Sequence, residues 1–149
     1  MTLRWLLASF HLLALGIGLG AVVVRGLALR SRLERPALRW VFGADAAWGI
    51  AALLWLGTGL WRLLGGIEKG TEYYFQNHAF LTKMGLFAII VALELWPMRT
   101  LTAWRRRSAR GQAPDTTAAP LLARISFWQA GLIVVMVLLA AAMARGYGA

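Results

Sequence analysis

The chain has no cysteine, so disulfides, thiolate metal sites and cysteine nucleophiles are excluded at once. It also lacks any long polar stretch. Its 149 residues are 60% hydrophobic, and nearly everything outside four apolar runs is short loop, which leaves no room for a separate soluble domain. There is no internal repeat, so an inverted-repeat transporter is disfavoured. The five methionines (Met1, Met84, Met98, Met136 and Met143) are scattered, which argues against a methionine-rich copper site. Acids are few: six Asp and Glu face sixteen Lys and Arg, a formal net charge of +10.

The four apolar runs cover roughly 3–24, 44–64, 79–98 and 121–144. Each is long enough to cross a bilayer. The first is about twice as long as the apolar core of a typical signal peptide and is read as a retained span. The expectation is one all-α, four-span membrane bundle over residues 1–149.

Ionisable residues inside a span are costly and normally face protein or water. Here they recur at steps of three and four, one stripe per run. The first stripe is Arg4, Ala8, His11, Leu15, Gly18, Val22 and Arg25. Asp45, Trp48, Ala52, Trp55, Gly59 and Arg62 form the second, and Phe80, Lys83, Phe87, Ile90, Glu94 and Pro97 the third. The fourth is set by Arg124 and runs through Trp128, Gly131, Val135 and Leu138, with Gln129 off it. Four such seams meeting inside make a four-helix bundle.

Basic residues crowd two connections. Arg30, Arg32, Arg35 and Arg39 follow the first run, and Arg99, Arg105, Arg106, Arg107 and Arg110 follow the third, whereas Lys69 stands alone between the second and third. The positive-inside rule then places both arginine-rich connections in the cytoplasm and both termini outside, in a bacterial inner membrane. These arginines meet anionic lipid head groups rather than nucleic acid. Residues 111–120 are turn-rich linker. Tyr73, Tyr74 and Phe75, with Trp5 and Trp61, suit an outer aromatic belt, and Trp40, Trp96 and Trp104 an inner one.

By depth, the seam residues fall into two layers. Arg25, Asp45, Glu94 and Arg124 lie toward the cytoplasm and can neutralise one another as structural ion pairs, though a path for protons through the two acids is also open. His11, Arg62 and Lys83 lie toward the outside, and no helix supplies a carboxylate there. Either Glu68 and Glu72 of the adjoining loop fold in, or an anionic ligand completes the site. A porphyrin with two propionates is one such ligand: His11 as the metal ligand, Arg62 and Lys83 as carboxylate partners, Trp48 and Trp55 as ring neighbours or simply as core. His78 could add a second nitrogen.

The stretch Lys69-Gly70, Tyr74, Asn77, Phe80, Lys83, continuing through Phe87 to Pro97 and Trp104-Arg105, resembles a bacterial family of four-span inner-membrane proteins of unknown function, over nearly the whole chain. More distantly, a histidine early in the first span, an arginine at its inner end and a lysine early in the third are similar to HemJ-type protoporphyrinogen oxidases and the copper-resistance CopD group. That resemblance implies heme b held with the help of His11 and Lys83.

Two function classes follow. One is a redox protein holding heme b or a related porphyrin. The other is a non-enzymatic binder of lipid or small molecules, or a subunit of a membrane complex. In the second, Gly16, Gly18, Gly20, Gly57 and Gly59 would let helices approach closely, within one chain or in a homo-oligomer.

Overall fold

A computed structural model describes residues 2–64 and 78–147, which form α1 (Thr2–Arg30), α2 (Arg35–Leu64), α3 (His78–Ala109) and α4 (Ala119–Ala144). All four are long and apolar enough to cross a membrane. The protein is an all-α membrane bundle. The segment 65–77, with Glu68, Glu72 and the belt residues Tyr73, Tyr74 and Phe75, lies outside the described residues.

The helices outrun the apolar segments at the arginine end. α3 has 32 residues, about 48 Å at 1.5 Å per residue, against a hydrocarbon core of about 30 Å. Arg35, Arg39, Arg99 and Arg105 to Arg107, placed by hydropathy in loops, are therefore helical. Hydropathy marks where the bilayer ends, and arginine is a good helix former that carries the hydrogen-bond ladder past that point. The true connection between α1 and α2 is 31–34 alone.

Termination is local. Gly111 has φ +73°, its N–H donates to the Ser108 carbonyl, and the Gln112 N–H donates to the Arg107 carbonyl. That pairing closes a helix by a left-handed residue, which glycine adopts without a Cβ penalty. In the linker that follows, the Thr117 N–H donates to Asp115 Oδ1 and holds this exposed carboxyl below the usual carboxylate range. Pro120 then starts α4, where its missing N–H costs nothing.

α1 packs along α2 and against α4, and α4 packs on α3, so the helices run round the bundle in the order α2, α1, α4, α3. Among the described residues the backbones of α2 and α3 stay apart, and these two helices meet through side chains, Arg105 on Asp45 and Phe87 on Trp55. One apolar cluster fills the middle around Val22, Trp48, Ile90, Ile133 and Met136. A second lies at the arginine end around Leu29, Val41, Leu101, Trp104 and Leu122. Trp104, expected as an interfacial anchor, is thus buried, whereas Trp5, Trp40, Trp61 and Trp96 are exposed on the flanks.

The fourth stripe needs a larger correction. Arg124, Trp128, Gly131, Val135 and Leu138 are all exposed, and the packed face is Leu122, Ser126, Gln129, Ile133 and Met136. The stripe was set by the charged residue, but an arginine near a helix end can run its long stem outward to water. A mid-span glutamine cannot, and it must find partners inside.

Candidate functional site

The bundle carries two polar sites, one toward each end. At the Arg25 end, Arg25 is fully buried, yet each of its five N–H groups has an acceptor. Nε donates to Ser126 Oγ (3.0 Å), Nη1 to Asp45 Oδ1 (2.9 Å) and Glu94 Oε1 (2.8 Å), and Nη2 to Glu94 Oε2 (2.9 Å) and Gln129 Oε1 (2.7 Å). Gln129 Nε2 in turn donates to Glu94 Oε2 (2.8 Å) and the Ile90 carbonyl (3.3 Å). Arg105 Nη2 donates to Asp45 Oδ2 (2.8 Å) and the Phe42 carbonyl (2.7 Å). All four helices meet here.

The charges balance, two guanidinium groups against two carboxylates. Sequence reasoning brings Arg25, Asp45 and Glu94 together and so does the structure. The second cation, however, is Arg105 rather than Arg124, which is exposed and outside the cluster. Arg105 is one residue past a tryptophan in a basic run, where four arginines look alike. Only the turn of α3 tells that this one faces α2. Ser126 and Gln129 carried a usable signal, being the polar residues at a three-residue step in an otherwise apolar span. With every donor of Arg25 engaged, the cluster offers a ligand little and holds the helices in register.

At the His11 end a cavity of about 170 Å³ lies between α2 and α3. His11 reaches it from α1, Trp55, Gly59 and Arg62 from α2, and Phe80, Lys83 and Phe87 from α3. Met143 of α4 also lines it. Trp48 does not. It is buried on Gly18, where a Cβ would stand 3.0 Å from Trp48 Cζ3, and so belongs to the core. His78 is exposed at the start of α3.

The environment of His11 is specific. Nδ1 lies 3.0 Å from Thr58 Oγ1, and the Thr58 hydroxyl gives its single proton to the backbone, 2.7 Å from the Leu54 carbonyl. The imidazole is therefore the donor at Nδ1, and in the neutral ring Nε2 carries the lone pair. The ring stacks on Trp55 with centroids 5.5 Å apart, and Phe87 meets Trp55 edge-on at 5.3 Å. Gly59 allows this approach, since a Cβ there would come within 3.1 Å of His11 Cε1. Thr58 had no signal in the sequence beyond its place three residues after Trp55. Arg62 and Lys83 are close enough to repel each other. The Trp55 indole N–H is buried without a hydrogen-bond partner among the described residues.

A family model described as "Predicted membrane protein (DUF2214)" matches residues 3–148. The chain belongs to this family. No curated protein and no solved structure matches it. The DUF2214 match spans all four helices and both polar sites, so the cavity and the Arg25 cluster lie within the family's own extent.

The donor set at the cavity suits an iron porphyrin: an imidazole nitrogen for the metal, a guanidinium and an ammonium for propionates, and aromatic faces for the ring. The cavity, about 170 Å³, is near the roughly 150 Å³ that takes a benzene molecule, so it has room for one ring and not for a whole porphyrin. Among the described residues no three His, Cys, Asp or Glu side chains gather to hold a bare metal ion.

Proposed function

We propose that this protein is a membrane-embedded binding protein whose site is the aromatic, cationic cavity at the His11 end, with heme b or a related porphyrin as the ligand that gives it a redox role. In this reading His11 would hold the iron, Arg62 and Lys83 would pair with the propionates, and Trp55 would offer its face to the ring. Bound heme would supply one-electron transfer, and the protein's part is to hold, orient and shield it. One observation carries the proposal: His11 of α1, Trp55 and Arg62 of α2 and Lys83 of α3 line a single cavity. The resemblance of the His11 and Lys83 positions to HemJ-type proteins points the same way.

The test is an ultraviolet-visible spectrum of detergent-purified protein made with ample heme supply. A Soret band that His11→Ala abolishes, and that Lys83→Ala and Arg62→Ala weaken, is the expected result. Protein that is colourless and does not change the spectrum of added hemin overturns the heme reading. The second reading is a non-enzymatic binder of lipid or small molecules, and the ring-sized volume with its lateral gap favours it. In either case we place the protein in a bacterial inner membrane with both termini outside and the arginine-rich ends on anionic lipid in the cytoplasm. Self-association through the lipid-facing helix surfaces is compatible with both.

A further inference from the structure

Away from the cavity, an open groove where α1 ends and α4 begins brings together arginines from two helices. Arg30, the last residue of α1, and Arg124, in the second turn of α4, line it with Leu29, Ala119, Pro120 and Ala123. Neither arginine has a carboxylate or any other hydrogen-bond acceptor among the described residues, and neither belongs to the charge-balanced Arg25 cluster. Two cations lining one groove repel each other, and the bundle supplies no anion to offset that. Arg30 is nonetheless held in place. Its guanidinium lies over the Phe127 ring, 4.6 Å from the centroid, and Phe127 is itself seated on Gly26, where a Cβ would come within 3.0 Å of its Cζ. Stacking uses the flat face of a guanidinium and leaves its N–H edge free.

A fixed fork of N–H donors suits a phosphate, which can accept two parallel hydrogen bonds from one guanidinium. The adjoining surface indicates which phosphate. Arg124 opens the outward stripe of α4, which continues through Trp128, Gly131, Val135 and Leu138, all exposed. Nothing stands within 4 Å of where a Gly131 Cβ would go. At 1.5 Å per residue Val135 is about 16 Å from Arg124 along the helix axis, and half of a hydrocarbon core of about 30 Å is about 15 Å. A cation, a tryptophan one turn deeper and then an apolar strip as long as one leaflet match the head and acyl chain of a phospholipid. A free phosphate ion would leave that strip unused.

We propose that the groove between α1 and α4 is a discrete site for one anionic phospholipid, whose phosphate accepts from Arg30 and Arg124 and whose acyl chain lies along Trp128, Gly131 and Val135. This goes beyond the general attraction of the arginine-rich ends for anionic lipid, because it assigns one saturable site and gives Arg124 a partner. It does not depend on what occupies the cavity at the His11 end.

Native mass spectrometry of the detergent-purified full chain, titrated with phosphatidylglycerol, tests it by counting the lipids retained. One lipid should be held more tightly than all others, and millimolar inorganic phosphate should not displace it. Arg30→Gln and Arg124→Gln should each weaken that lipid about tenfold or more, the range of a charged hydrogen bond. Arg124 makes no hydrogen bond or ion pair within the bundle, so its variant serves alone if Arg30→Gln does not elute as folded protein. Arg99→Gln and Arg110→Gln remove the same charge from exposed positions of α3 and should leave the tight lipid unchanged. Equal weakening by all four variants means diffuse attraction and overturns the discrete site. Displacement by inorganic phosphate overturns the lipid assignment, as does wild-type retention in Arg30→Gln and Arg124→Gln.

Discussion

Arg25 shows how one residue can be both the most expensive and the most necessary in a span. A lone arginine at the centre of a membrane helix costs a few kcal/mol on insertion scales, and its presence with zero exposure is explained by the five acceptors drawn from three other helices. Removing it strands the Glu94 carboxylate and leaves Asp45 with Arg105 alone. We expect Arg25→Ala to lower unfolding free energy in detergent by about 3–5 kcal/mol. Arg105, whose side chain is 39% exposed at its bridge to Asp45, should cost no more than about 1 kcal/mol when truncated. Arg124→Ala should stay within about 0.5 kcal/mol, as surface changes do. An unfolding series that ranks Arg124 with Arg25 would contradict the cluster described above. The histidine permits a second test at this scale. Thr58→Val removes the acceptor at Nδ1, so nitrogen NMR of labelled imidazole should lose the pure Nδ1–H tautomer, with a stability loss of about 1 kcal/mol.

Helix contact is decided by a few small residues, and the sequence does not say which. Gly16, Gly20 and Gly57 have open space where a Cβ would go, whereas Gly18 and Gly26 would put one 3.0 Å from Trp48 and Phe127. Gly18→Ala and Gly26→Ala should therefore each cost about 1–3 kcal/mol by overpacking, and Gly16→Ala and Gly20→Ala should be neutral or slightly stabilising through helix propensity. Thermal unfolding in one detergent distinguishes the two sets. α4 gives the same lesson by its rotation. Its buried face follows Ser126 and Gln129, so Gln129→Ala should be far more damaging than Trp128→Ala, even though tryptophan is the larger side chain.

For the whole molecule, the two ends of the bundle are built differently. At the Arg25 end the four helices are tied by charge-assisted hydrogen bonds, and α2 meets α3 through Arg105. At the His11 end the cavity lies between α2 and α3, which meet there through the edge of Phe87 on Trp55. The orientation of that axis is testable with reporter fusions. Insertions at Leu33 or Gln112 should report cytoplasm, and a fusion after Tyr147 should report the opposite side. The reverse pattern would place the cavity in the other leaflet.

What the sequence by itself determined is what bilayer physics imposes on any chain: four spans, an all-α bundle, and the inward faces of α1, α2 and α3, because a polar side chain in a uniformly apolar run has only one favourable direction. His11, Trp55, Arg62 and Lys83 were legible as a group for that reason, as were Arg25, Asp45 and Glu94. The order of helices around the bundle, the gap between α2 and α3, the choice of Arg105 over Arg124 and the role of Thr58 were decided by tertiary structure alone. Each depends on the rotation and neighbour of a helix. In a span that is apolar all round, rotation is set by packing and by shared hydrogen bonds with other helices, not by any period in its own residues.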